Sequence, residues 1–122
     1  MNRIMATGRP VRDCVLADMP EKTLCKFCLA CKADYFVDGK IKTNFIRCVA
    51  WDKTAEVLAN NVKKGDLISV SGTLDSREYE KESNKELVWE IRVERVEFLA
   101  KAEPKEDKQE LTQDEVDKNL PF

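Results

Sequence analysis

The chain has 122 residues, 43% hydrophobic and 36% charged, which fits one compact domain with an appended segment and argues against two domains or wholesale disorder. No apolar run approaches the ~20 residues that cross a bilayer, the N-terminus lacks a signal-peptide pattern, and the absence of histidine removes imidazole-based catalysis. The expectation is a cytoplasmic protein that avoids membranes. The net charge of −2 resolves into +1 over residues 1–100 (17 Lys+Arg against 16 Asp+Glu) and −3 over residues 101–122 (4 against 7).

In chain order, Ile4, Ala6 and Gly8 alternate with Arg3, Met5, Thr7 and Arg9, the period of a strand. A second strand runs from Leu24 to Phe36, with Phe27, Leu29, Cys31 and Tyr35 on one parity. Asp38-Gly39 ends it, a pair that in a two-residue loop supports a type I′ hairpin. The third, Phe45 to Trp51, sets Phe45, Arg47, Val49 and Trp51 against Ile46, Cys48 and Ala50. The period then changes. Ala55, Leu58, Ala59 and Val62 have helical spacing, with Asp52 as the cap, Lys63 and Lys64 in the last turn and Gly65 at the C′ position. In the fourth strand Ile68, Val70, Gly72 and Leu74 alternate with Ser69, Ser71 and Thr73. The fifth carries Leu87, Trp89, Ile91 and Val93 on one parity and then shifts phase to Val96 and Phe98, which signals a β-bulge or bend.

Five strands with one short helix between the third and fourth is the layout of the OB-fold, an all-β Greek-key barrel. The last two strands extend past the barrel as a hairpin arm around Glu80–Glu86. The domain spans residues 1–100, and 101–122 reads as a disordered acidic tail.

Cys25, Cys28 and Cys31 have a metal-like spacing, but a strand argues against a metal site. Cys25 and Cys28 point to opposite faces, Cys25 and Cys31 lie about 20 Å apart at ~3.3 Å per residue, and no histidine supplies a further ligand. An odd total of five cysteines without a secretion signal reads as reduced thiols used as small apolar fillers. The third strand is more informative. A single aromatic on a strand is usually core, yet Phe45, Val49 and Trp51 share their face with Arg47, which is costly to bury unpaired. Exposed rings interleaved with cations suit single-stranded nucleic acid, where bases stack and phosphates meet charge. The rival readings are an RNA-preferring or replication-restart OB module, a cysteine-based metal or redox protein, and an OB domain that binds only protein.

These segments resemble the bacterial single-stranded DNA-binding proteins along the whole chain. The resemblance rests on Asn2-Arg3-Ile4 through Gly8-Arg9, on Lys26-Phe27-Cys28-Leu29-Ala30, and on Phe45 to Glu56 followed by Lys63-Lys64-Gly65. Ile68 to Leu74 and the terminal Leu120-Pro121-Phe122 complete it. It implies a homotetramer that coats single-stranded DNA in replication, recombination and repair, is not an enzyme and needs no cofactor. It further implies stacking on Tyr35, Phe45, Trp51 and Tyr79, and phosphate contacts from Arg3, Arg9, Arg47, Lys53, Lys64 and Arg77. The terminal segment, with Asp117, Leu120, Pro121 and Phe122, would recruit replication and repair proteins. Tyr35 and Tyr79 stand where the family often has Trp.

Overall fold

The computed structural model describes residues 1–102. Its elements in chain order are β1 (Ile4–Pro10), β2 (Ala17–Met19), β3 (Lys22–Val37), β4 (Lys40–Trp51), α1 (Asp52–Asn61), β5 (Leu67–Lys81) and β6 (Asn84–Ala100). The sheet runs β1-β5-β6-β4-β3-β2, and an additional β1–β3 pairing closes β1, β5, β6, β4 and β3 into a barrel. All neighbours are antiparallel except β4 and β6, which run parallel through Cys48–Ala50 and Ile91–Val93. This is the expected five-stranded OB-type barrel, with β2 as an added edge piece. The helix therefore follows β4 in this numbering, because β2 precedes it as an extra element.

Alternation builds the core. Cys25, Phe27, Leu29 and Cys31 of β3 meet Cys48 and Ala50 of β4, Ile68 and Val70 of β5, and Ile91 and Val93 of β6, all buried in one cluster. Ala55, Leu58 and Val62 put the apolar stripe of α1 into the same cluster. The Asp38-Gly39 turn joins Val37 to Lys40 with φ of 52° and 80°, the two positive angles that a type I′ turn needs. The phase shift in the last strand is a bulge. Gly72 pairs with Val93 and Ser71 with Arg95, leaving Glu94 as the extra residue.

Three local expectations are corrected. Asp52 does not cap α1 with its side chain; it takes a left-handed φ of 51°, and its carboxylate accepts a hydrogen bond from the Thr23 N–H at 3.2 Å. The helix has no basic residue in its last turn and is capped at Val62, so Lys63, Lys64 and Gly65 belong to the loop that follows. Gly65, at φ 84°, is the turn residue of that loop, which is fastened to the end of β1. Its N–H donates to the Pro10 carbonyl at 3.0 Å and its own carbonyl accepts from Arg9 Nη1 at 2.7 Å.

All five cysteines are buried free thiols. Cys25 and Cys28 do lie on opposite faces. Cys25 belongs to the main core, and Cys28 to a second cluster with Val11 against which Ala30 and Phe45 pack. Burial pushes the Cys28 and Cys31 thiols up from 9.0 to about 11. Cys48 is raised by burial as well. Cys14 is raised by the hydrogen bond it shares with Cys25 and then by burial, while Cys25 is lowered by the same bond. Between pH 9 and 11 the folded chain keeps protons on Cys28 and Cys31 that the unfolded chain releases, so their contribution to stability falls as pH rises through that window. Urea midpoints should drop more steeply across it for the parent than for a Cys28→Val/Cys31→Val variant, in which other groups still titrate. Equal slopes would contradict this.

Candidate nucleic-acid interface

The strands that build the core with one set of side chains present the other set as an outer wall. Pairing arranges that wall in rows. Arg9 of β1 is opposite Ala30, which is opposite Phe45. Cys28 is opposite Arg47. Lys26, Val49, Arg92 and Thr73 form a continuous row over β3, β4, β6 and β5. Along β5 and β6 the same parity brings Asp75 opposite Glu90, Arg77 opposite Val88 and Tyr79 opposite Glu86. The wall thus carries Arg9, Lys26, Arg47, Arg77 and Arg92 against Asp75, Glu86 and Glu90, with three aromatic rings among them.

Two groupings define its chemistry. In the first, the Arg47 guanidinium lies over the Tyr79 ring at 5.9 Å, and Arg77 Nε meets Glu90 Oε1 at 2.6 Å. In the second, Trp51 ends β4 with Lys22 Nζ 5.5 Å from its ring centroid. Trp51 lines an open cleft of about 520 Å³ with Thr54, Thr73, Arg92, Val93 and Glu94. Both rings are half-buried, with enough face left to meet a flat ligand.

The structure brings Phe45, Arg47, Trp51, Arg77 and Tyr79 onto this wall, and Arg9 reaches it through its pairing with Ala30. Phe45 is the most committed to packing, held against Val11 and Cys28. Val49 shares the predicted face but is only 1% exposed, flanked in its row by Lys26 and Arg92, whose long stems cover apolar surface readily. The other predicted residues lie apart. Arg3 is ion-paired with Glu94 at 2.5 Å. Lys53 stands exposed in the first turn of α1. Lys64 is exposed in the loop after α1, with its backbone N–H donating to Asp13 Oδ1 at 2.6 Å. Tyr35 is 58% exposed and falls in the irregular stretch where the β3–β4 register shifts, near the Asp38-Gly39 turn of that hairpin. Asp117, Leu120, Pro121 and Phe122 lie outside the described residues, as does nearly all of the expected tail.

Lys22, Lys26, Arg92 and Glu90 escaped the sequence reading. The signal for the last two was available in β6, where Glu86, Glu90 and Arg92 make one parity mostly polar against Leu87, Trp89, Ile91 and Val93. Among the described residues no group of acidic or sulfur side chains is arranged to hold a metal ion, and no helix is long and apolar enough to cross a membrane.

A family model described as "Single-strand binding protein family" matches residues 1–99. Among curated proteins, the chain is 31% identical over 101 residues to the "Single-stranded DNA-binding protein" of Staphylococcus epidermidis, covering 82% of this chain and 77% of that one. It is 35% identical over 104 residues to "Single-stranded DNA-binding protein 1" of Streptococcus pyogenes, covering 83% and 80%. With the "Single-stranded DNA-binding protein" of Clostridium tetani it shares 37% identity over 102 residues, covering 81% and 70%.

Proposed function

The chain belongs to the single-strand binding protein family, and on that premise we propose that its outer wall binds single-stranded DNA with little sequence preference. The observation that carries this is the interleaving of Phe45, Trp51 and Tyr79 with Arg47, Arg77 and Arg92 on one side of the barrel. Rings accept any base by stacking, and the cations meet the backbone that every sequence shares. Binding of this kind breaks no bond, so the protein acts as a coat and not as an enzyme. Arg3, Arg9, Lys53 and Lys64 extend the phosphate track, and Tyr35 on the β3–β4 hairpin adds a further stacking ring.

The protein coats and protects single strands in the cytoplasm during replication, recombination and repair. Asp117, Leu120, Pro121 and Phe122 recruit partner proteins, an apolar tip beside a carboxylate being suited to an apolar pocket with a basic rim. Exposed Leu87, Trp89, Phe98 and Leu99 on β6 support self-association, here as a homotetramer; a monomer mass in light scattering would refute it.

The binding reading is tested by titrating the protein with oligo-dT, oligo-rU and a duplex of equal length at several salt concentrations. The expected result is preference for oligo-dT and a log–log salt slope near −0.7 per neutralised phosphate. Equal affinity for duplex and single strand, or no salt dependence, would overturn it.

A further inference from the structure

Two charged residues are buried among the described residues, and they differ in kind. Asp66 is 5% exposed, and its carboxylate accepts backbone N–H groups of Lys63 and Ala102, both at 2.8 Å, so it is a loop fastener. Glu90 is 1% exposed, yet both of its oxygens lack a hydrogen-bond partner among the described residues. Its close contact is Arg77 Nε at 2.6 Å. Asp75 stands opposite it in the β5–β6 register, so two acids share the wall at this point. Like charges opposite one another are destabilising, and a buried ion pair is often no more stable than apolar residues of equal volume. Stability alone therefore gives little reason for a carboxylate here.

The geometry of the arginine gives one. A guanidinium is a planar fork of five donors. Arg77 keeps its Nε 2.6 Å from this carboxylate while its side chain remains 40% exposed, so the ion pair leaves part of the fork open to solvent. Tyr79, next along the same parity, carries the guanidinium of Arg47. We propose that Glu90 is a positioning residue for DNA: its buried carboxylate fixes the Arg77 guanidinium so that its outward donors meet a backbone phosphate. This rests on the single-strand-binding reading.

Positioning and simple counter-charge predict opposite signs. A carboxylate that merely repels phosphates would, once removed, leave DNA bound more tightly. A carboxylate that aligns Arg77 would leave it bound more weakly. The experiment is a salt titration of oligo-dT binding by the full chain with Glu90→Met, Glu90→Gln, Arg77→Lys and the doubles Glu90→Met/Arg77→Lys and Glu90→Gln/Arg77→Lys, each checked for cooperative melting. Glu90→Met should weaken binding about 5- to 20-fold and flatten the salt slope by about 0.7, the share of one phosphate. Glu90→Gln, which keeps an acceptor, should fall between it and the parent. Arg77→Lys should match Glu90→Met, and neither double variant should bind more weakly than Arg77→Lys alone. Tighter or unchanged binding by Glu90→Met, or losses that multiply in a double variant, would overturn the inference. If Glu90→Met fails to melt cooperatively, the Glu90→Gln cycle decides by the same rule. A parent that does not bind oligo-dT overturns both readings, whereas a parent that binds no better than Glu90→Met overturns this one alone.

Discussion

Gly72→Ala costs the fold more than about 3 kcal/mol, the top of the usual range for an overpacked site. A Cβ at this position would lie 1.9 Å from the Arg92 carbonyl oxygen and 2.9 Å from its carbon, and these are backbone atoms that no rotamer can move. Relief requires β5 and β6 to part. Gly72 is paired on both sides, with Ile4 of β1 and Val93 of β6. Arg92 and Val93 in turn carry the parallel pairing to β4 that closes the barrel. A shift large enough to admit one methyl group therefore loosens three strand pairs. Against a total stability of about 5–15 kcal/mol, this loss removes much of the margin. Gly39→Ala is the matched control. It has open space around the added Cβ and a φ of 80°, so it is charged only for left-handed backbone, about 1–2 kcal/mol. Thermal melts should show a far lower midpoint for Gly72→Ala, or no cooperative transition, and a modest drop for Gly39→Ala. Equal midpoints would refute the steric argument.

What was legible in the sequence was local and periodic. The alternation in Phe45–Trp51 put Ile46, Cys48 and Ala50 on the core side, where they pack. Asp38-Gly39 specified its turn, and the phase change between Val93 and Val96 located the bulge at Glu94. What was not legible came from partners distant in the chain. Ala17–Met19 is exposed at every residue and is a strand only because the β3 edge pairs with it, so no burial pattern marks it. Asp52 has the composition of a helix cap, but Thr23 across the β3–β4 pair takes its carboxylate. The Glu90–Arg77 pair and the row from Lys26 to Thr73 depend on β6 lying between β4 and β5. Nothing within one strand states that order.

Trp51→Ala should weaken oligo-dT binding by roughly 1–3 kcal/mol, or about 5- to 150-fold, the worth of one stacked base. In the free protein a cation already occupies part of this ring's surroundings, since Lys22 Nζ sits 5.5 Å from its centroid. An exposed cation–π contact is worth about 0.5–1 kcal/mol, less than a stacked base, so the contact with Lys22 is too weak to keep a base off the ring. That order of strengths separates Trp51 from the arginines. Removing the ring takes away an uncharged contact, so binding falls at every salt concentration while the slope stays the same, unlike the flattened slope expected for Glu90→Met. Fluorescence supplies the independent readout. The chain has two tryptophans, and Trp89, 53% exposed, lies on the opposite parity of β6 from Glu90 and Arg92. A Trp89→Phe protein therefore reports Trp51 alone, and its emission should be quenched as oligo-dT saturates the wall. Unquenched emission in that protein, together with unchanged affinity in Trp51→Ala, would remove Trp51 from the binding surface and leave Phe45 and Tyr79 as the rings on that wall.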